Sequence, residues 1–403
     1  MKVAFIASTY PRYPGDGAGR FVQSIAEGIA CHDNKIFVVR PYHRLIKPLP
    51  GNIHVEHFKY IIPDSLAIMG YAEAMESDRS LKKTSVFLAP LYFLSALLKL
   101  IAVTKKNKID VLHAHWVIPN GPIAAIVSRI FKIPLIITLH GSDVFFAQRN
   151  PLLKKIARFA FNQASAITAC SEEMRHKAIS LGANPSITHL IPWGADPAQF
   201  NITETKENLR AKWDLPQKDF IILSLGRLVE KKGIKYLIEA IPLVISSHRN
   251  TTFVIAGDGP EKAELLLLAK QLGVEKKVVF PGPIRWEEVP SIMHASDIFA
   301  VPSIHDRNNN VDGLPTTILE AMASSLPIVG SNIAGIPLVV ENNANGLLVE
   351  EKNSVQLAEA IIKLLSNSAL IKQFGEKSRE KVVTSYNWGT IGKLFLSFYQ
   401  QKK

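Results

Sequence analysis

The sequence predicts an α/β chain built as two doubly wound domains. Three observations carry this. Short apolar, strand-like runs alternate with helix-like segments along the chain, which implies parallel sheets covered on both faces. The opening pattern, a strand followed by a glycine-bearing loop, restarts near residue 220. The chain has 403 residues, room for two domains of about 200 residues each.

In chain order, the first strand covers 3–7. Its apolar run is too short for the core of a secretory leader. The loop Gly15-Asp16-Gly17-Ala18-Gly19-Arg20 follows, flexible and able to approach an anion closely, with Arg12 beside it. A second strand covers 36–39. Residues 85–103 form the longest apolar stretch, interrupted by Pro90 and Lys99. Lys82 and Lys83 stand before it, and Lys105, Lys106 and Lys108 after it. Three readings fit it: a helix buried in the first domain, a helix lying in an anionic lipid surface, or a membrane span. Strands at 111–113, 135–139, 166–169 and 187–191 complete the first sheet, with helices at 121–130 and 152–162. Loop-rich sequence from Pro192 to Pro216 marks the domain boundary. The second domain repeats the scheme, with strands at 221–225, 252–256, 278–280, 298–301 and 328–329. Its helices fall at 234–246, 262–272 and 319–324. The domains are therefore assigned to 1–195 and 196–380, with a final segment at 381–403. In such folds ligands bind at the carboxyl ends of the strands, which points to the cleft between the domains.

Composition narrows the classes. Hydrophobic residues make up 47% and charged residues 20%, excluding a disordered chain or a coiled coil. The two cysteines, Cys31 and Cys170, exclude a disulfide scaffold and suggest a reducing compartment. The net charge of +12 is lopsided: residues 1–195 carry +11 and residues 196–403 carry +1. That asymmetry points the first domain at an anionic surface.

Five constellations hold candidate chemistry. After the strand at 221–225 come Gly226, Arg227 and Lys232, then a helix. Cations at a helix N-terminus suit a diphosphate, although a solvated basic turn has the same sequence. Gly257 and Gly259 end the next strand and allow close backbone approach, or simply make a turn. Asp312, Gly313, Leu314 and Pro315 lead into a helix carrying Glu320, and two carboxylates so placed can meet ligand hydroxyls. His140 ends the strand at 135–139 and is followed by Gly141-Ser142-Asp143. Gly17 and Gly19 belong to the opening loop. His113 and His115 share a strand face but have no third ligand nearby, so no metal is expected. Basic residues are not interleaved with aromatics, so nucleic acid is not an expected partner.

Taken together these motifs resemble the family 4 retaining glycosyltransferases, of GT-B architecture with two facing Rossmann-like domains. The resemblance runs through the glycine loop, His113-Ala-His115-Trp116, Leu139-His140-Gly141-Ser142-Asp143, Pro192-Trp193-Gly194-Ala195-Asp196, Gly226-Arg227-Leu228, Gly257-Asp258-Gly259-Pro260 and the acid pair ending in Glu320-Ala321. It implies a donor that is a UDP- or GDP-sugar and no cofactor. Arg227 and Lys232 would hold the diphosphate in place of a metal, and Glu320 the ribose hydroxyls. Asp312 would touch the donor sugar and His140 would sit beside it. Gly17 and Gly19 would close over phosphates and acceptor. Gly257, Gly259, Gly313, Leu314 and Pro315 would line the donor. The last segment would cross back onto the first domain. The family has Glu at the first acid; Asp312 moves that carboxylate by about 1.3 Å. The acceptor would be a glycan or a lipid-linked sugar used in cell-surface polysaccharide, lipopolysaccharide or glycolipid assembly. An anionic membrane surface would meet the basic first domain of a cytoplasmic, peripheral protein. Two alternatives remain: another GT-B enzyme, a phosphorylase or nucleotide-sugar epimerase, or a degenerate membrane-bound scaffold. Intact Arg227, Lys232 and Glu320 argue against the scaffold.

Overall fold

The computed structural model describes residues 1–400 apart from 72, 74, 78 and 79, and describes no side chain at 75–77, 80, 81, 83 and 149. Lys83 thus has no described side chain, and residues 401–403 of the expected last segment lie outside the described residues. Two compact units form: Met1–Pro192 with Trp388–Lys403, and Trp193–Asn387.

The first unit is built on β1 (Lys2–Ile6), whose last four side chains are buried. Both of its neighbours, β2 (Lys35–Pro41) and β6 (Val111–His115), run parallel to it. A strand so enclosed is apolar on both faces. Beyond β2 lies β3 (His54–Phe58); β4 (Met75–Ser77) and β5 (Ser80–Leu81) form a separate antiparallel ribbon. Beyond β6 come β7 (Leu135–Thr138), β8 (Ala166–Ala169) and β9 (Thr188–Leu190), giving the order β3-β2-β1-β6-β7-β8-β9. Helices α1 (Arg20–Ala30), α2 (Lys83–Asn107), α3 (Val117–Phe131), α4 (Ser142–Arg149), α5 (Pro151–Gln163) and α6 (Glu172–Ser180) connect these strands. The strand order reverses between β1 and β6. Loops diverge at such a switch point and leave a crevice.

Helix α2 resolves the apolar stretch into two faces. Tyr92, Ala96, Leu100 and Val103 are buried, whereas Phe87 is 80% and Leu98 59% exposed, with Val86, Leu91 and Leu94 exposed alongside. The expectation of a buried helix therefore holds for one face only. Lys99, the charge inside the stretch, pairs with Glu56 on β3 at 2.6 Å.

The second unit repeats the design with β10 (Phe220–Leu225), β11 (Thr251–Ala256), β12 (Val278–Gly282), β13 (Ile298–Val301), β14 (Ile328–Ser331) and β15 (Gly346–Val349). All are parallel, in the order β12-β11-β10-β13-β14-β15, and the reversal falls between β10 and β13. Its helices are α7 (Lys206–Lys212), α8 (Ile234–Ser247), α9 (Lys262–Gln271), α10 (Val289–Ala295), α11 (Thr316–Ala323), α12 (Ile336–Val339), α13 (Ser354–Leu365) and α14 (Ser368–Thr384). Leu237, Ile241, Leu357 and Ile361 bury the facing sides of α8 and α13 over Ile222 and Phe253.

The unit boundaries differ from those expected at 195 and 380. Trp193 is buried, and the Ala195 N–H donates to the Tyr386 carbonyl at 2.9 Å, tying both connections to the second unit. The Tyr386 hydroxyl donates to the Leu338 carbonyl at 2.9 Å. Residues 381–384 are simply the last turn of α14. The returning helix is α15 (Trp388–Tyr399), which packs on α1 of the first unit with Ile391, Phe395 and Tyr399 buried. Gly28 and Gly392 let the two backbones touch: a Cβ on Gly28 would meet the Trp388 carbonyl, and one on Gly392 the Gly28 carbonyl.

Candidate active site

In the second unit the predicted residues gather at the carboxyl ends of β10 and β13, beside the switch point. The chain leaves β10 at Leu225, makes a short turn at Glu230–Lys232 and enters α8 through Gly233. Gly233 has φ of 64°, and a Cβ there would collide with the Pro302 carbonyl. The Ile304 N–H donates to the Lys231 carbonyl at 2.9 Å. These contacts lock the loop after β10 to the loop after β13.

The lock brings charges together. Lys231 Nζ lies 2.9 Å from Asp312 Oδ1, and Lys232 Nζ lies 2.5 Å from Asp312 Oδ2. Burial alone would raise the Asp312 pKa, but Lys232 and then Lys231 outweigh it and hold the carboxyl well below its usual range. Glu320, in the second turn of α11, has the opposite balance. Burial lifts it to about 7 and Lys232 only partly opposes the rise. The hydroxyl of Thr317, one turn before Glu320, is buried and makes no hydrogen bond among the described residues. Lys231 is the residue that sequence reasoning passed over; its only signal was adjacency to Lys232.

The remaining donor-side candidates have mixed surroundings. Arg227 is exposed. Gly257 and Gly259 approach protein backbone: a Cβ would strike the Gly226 carbonyl at one and the Leu228 carbonyl at the other. With Leu228 N–H donating to the Asp258 carbonyl at 2.9 Å, they fix the loop that carries Arg227. Leu314 and Pro315 are buried and Gly313 is half-buried. Pro315 caps α11 and so sets the start of the Glu320 helix.

In the first unit a second group surrounds the ends of β1, β6 and β7. The opening loop is internally tied. Asp16 accepts from the Arg12 backbone N–H at 2.9 Å, from Arg12 Nε at 2.6 Å and from the Ala18 N–H at 3.1 Å. Gly19 has φ of 72° and packs against the Thr9 carbonyl, whereas Gly17 is exposed with open space around it. His140 Nε2 and His115 Nδ1 lie 3.1 Å apart. The His140 ring rests 4.3 Å from the Trp116 ring and 4.9 Å from the Phe21 ring, centre to centre. Asp143 accepts from the Val117 N–H at 2.7 Å and the His140 N–H at 3.2 Å. Its burial raises its pKa to about 6. His113 is occupied on both nitrogens, 2.6 Å from the Tyr399 hydroxyl and 2.6 Å from Thr138 Oγ1. Burial drives all three histidines towards the neutral form, His115 to about 3. Among the described residues no three His, Cys, Asp or Glu side chains group as a metal site.

Two doubly wound parallel units, one with paired cations and carboxylates at its switch point, match the GT-B architecture of glycosyltransferases. The profile described as glycosyl transferases group 1 matches residues 205–381, and that of glycosyltransferase family 4 matches residues 15–199. The chain belongs to this glycosyltransferase family. It is 28% identical to a glycosyltransferase assigned to teichuronic acid biosynthesis in Bacillus subtilis, over 99% of this chain and 98% of that one. It is also 28% identical to a GDP-mannose-dependent phosphatidylinositol monomannoside mannosyltransferase of Mycobacterium tuberculosis, over 64% of this chain and 67% of that one. The fold matches that of Anabaena HepE crystallised with UDP, with a TM-score of 0.73, 21% identity and coverage of 98% and 99% of the two chains.

Proposed function

We propose that this transferase moves a sugar from a UDP- or GDP-sugar to a hydroxyl of a glycan or lipid-linked acceptor, with retention of configuration and without a metal ion. The observation that carries the reading is the cluster of Lys231, Lys232, Asp312 and Glu320 at the β10/β13 switch point. A nucleoside diphosphate leaves with growing negative charge. Arg227 and Lys232, with Lys231, meet that charge as preorganised cations, the kind of contribution that is often largest in catalysis. Asp312 holds the two ammonium groups in place before the donor arrives. The diphosphate then competes for them and frees the Asp312 carboxylate for hydroxyls of the sugar. Glu320 accepts from the ribose hydroxyls. Attack comes from the face the phosphate leaves, and the departing phosphate oxygen takes the acceptor's proton. The relatives named above, one in polysaccharide and one in glycolipid synthesis, support the acceptor class.

The reading places the protein in the cytoplasm against an anionic membrane. It is supported by the +11 charge of residues 1–195 and by the exposed apolar face of α2.

The test is thermal stabilisation by UDP, GDP and their sugars, for the wild type and Glu320→Ala. A ligand at 100 times its Kd adds about 2.7 kcal/mol, a shift of a few degrees. Stabilisation by one nucleotide class, lost in the variant, is expected. No stabilisation by any of them overturns the reading.

A further inference from the structure

The carboxyl end of the first unit's sheet carries a rim of uncovered apolar side chains. Ile62 is 85%, Phe87 80% and Val86 67% exposed, the highest values for large apolar side chains among the described residues. All three stand at one end of the unit. Tyr92 of α2 packs on Phe58, the last residue of β3, and on Tyr60, with ring centres 5.1 and 5.5 Å apart. Lys99 pairs with Glu56, further back along that strand. Helix α2 therefore runs antiparallel to β3, and Phe87 lies about 8 Å beyond Tyr92, past the strand's carboxyl end. Ile62 leaves the same end just after Tyr60. The loop that carries it is held: Lys59 Nζ lies 3.1 Å from Asp64, and the Tyr60 hydroxyl accepts from the Met69 N–H at 2.6 Å.

The chemistry of the rim selects what covers it. Apolar side chains that stand clear of the surface offer no packed face for a protein to match, whereas hydrocarbon needs no matching shape. Arg44 and Lys47 on the loop after β2, and Lys82 before α2, are exposed at the same end. Cations beside projecting apolar groups suit an anionic lipid surface. The rim is also tied to the opening loop. The Tyr71 N–H donates to the Ser8 carbonyl at 3.1 Å, and the Lys47 N–H to the Arg12 carbonyl at 2.7 Å. We propose that Ile62, Val86 and Phe87 enter an anionic bilayer, so that the carboxyl ends of β1, β6 and β7 open at headgroup depth and the acceptor is a lipid-linked sugar rather than a free glycan. The acceptor class rests on the transferase reading; the docking does not.

The test has two arms. Ile62→Cys, Phe87→Cys and Ile130→Cys are made singly with Cys31→Ser, Cys170 being buried, and each carries a polarity-sensitive fluorophore. Ile130 is exposed at the far end of α3, by the opposite edge of the sheet. With vesicles of equal parts phosphatidylglycerol and phosphatidylcholine, the labels at 62 and 87 should brighten and be quenched by lipids brominated in their chains. The label at 130 should do neither. No response at 62 and 87, or an equal response at 130, overturns the docking. Brightening without lipid that grows with protein concentration gives the rim to a second copy and overturns it too. Ile62→Ser with Phe87→Ser should weaken vesicle binding roughly a hundredfold, with the melting temperature unchanged because both side chains are exposed. In the second arm, protein and radiolabelled UDP- or GDP-sugars are added to membranes and cytosol of the source cells. Label should enter the chloroform–methanol extract, and less of it with the double variant. Label confined to water-soluble glycan overturns the lipid-linked acceptor. Label in neither fraction counts against the transferase reading, while the fluorophores still decide the docking.

Discussion

Glu320 and Asp312 sit near the same lysine yet respond to pH in opposite senses. Glu320 is raised from an ordinary 4.5 to about 7 by burial. Between those values the folded chain holds a proton that the unfolded chain has released. The contribution of Glu320 to stability is therefore full below pH 4.5 and lost as pH rises through 7. Glu320→Gln should melt higher than wild type at pH 8 and alike near pH 4.5, even while it weakens nucleotide binding; calorimetry across that range checks it. Asp312 is depressed, so its contribution is present above the ordinary carboxylate value and fades as pH falls below it. Asp312→Asn leaves two neighbouring ammonium groups uncompensated. It should cost on the order of 2 kcal/mol at pH 7, less than a fully buried pair because water reaches all three groups. Urea titration at pH 7 and pH 3 measures this, with a smaller difference expected at pH 3. The carboxylate pair was legible from its spacing alone. That Asp312 would be held by lysines on both oxygens was not, because the chain folds Lys231 and Lys232 onto it from eighty residues away.

Among the elements, sequence reasoning missed the ribbon strands β4 and β5 and, in the two large sheets, β3 and β15, which both lie at sheet edges. An edge strand is paired on one side only, so it need not be apolar throughout. β3 reads His-Val-Glu-His-Phe and is mostly half-exposed, and β15 is only Gly-Leu-Leu-Val. Central strands such as β1 and β10 were plain because both of their faces are buried. Helix α2 was ambiguous for a related reason: an apolar run looks the same whether one face or all faces are covered. If its outer face enters lipid, Phe87→Ser with Leu94→Ser should weaken binding to anionic vesicles roughly a hundredfold, on ordinary apolar burial energies. Sedimentation with vesicles of anionic and of zwitterionic lipid checks both the face and the charge preference. Equal sedimentation of the variant and the wild type would remove lipid as the partner of α2. At the contact of α1 and α15, Gly28→Ala forces a methyl into the Trp388 carbonyl and should cost about 1–3 kcal/mol, the usual scale of overpacking. Urea midpoints measure it.

At the level of the whole chain, the restart of the strand-loop-helix pattern revealed two units, and the rule that ligands bind at the carboxyl ends of strands pointed to the loops that carry both residue clusters. What the pattern did not reveal is how the second unit is held in the chain. The segments at 193–195 and 385–387 pair with each other, so residues 193–387 form an insertion between two parts of the first unit. Ending the chain at Asn387 should leave the second unit's nucleotide response intact. The same truncation should lower the first unit's melting temperature, since Ile391, Phe395 and Tyr399 lose their places; scanning calorimetry with and without nucleotide separates the two. The insertion also sets an order in time. A ribosome that has finished Pro192 must still add the whole second unit before α15 emerges, a delay of roughly 10–40 s at ordinary elongation rates. For that interval α1 has no cover over Gly28, and His113 lacks its tyrosine. The newborn first unit therefore waits for α15 to emerge, exposing an apolar seam that a holdase would recognise.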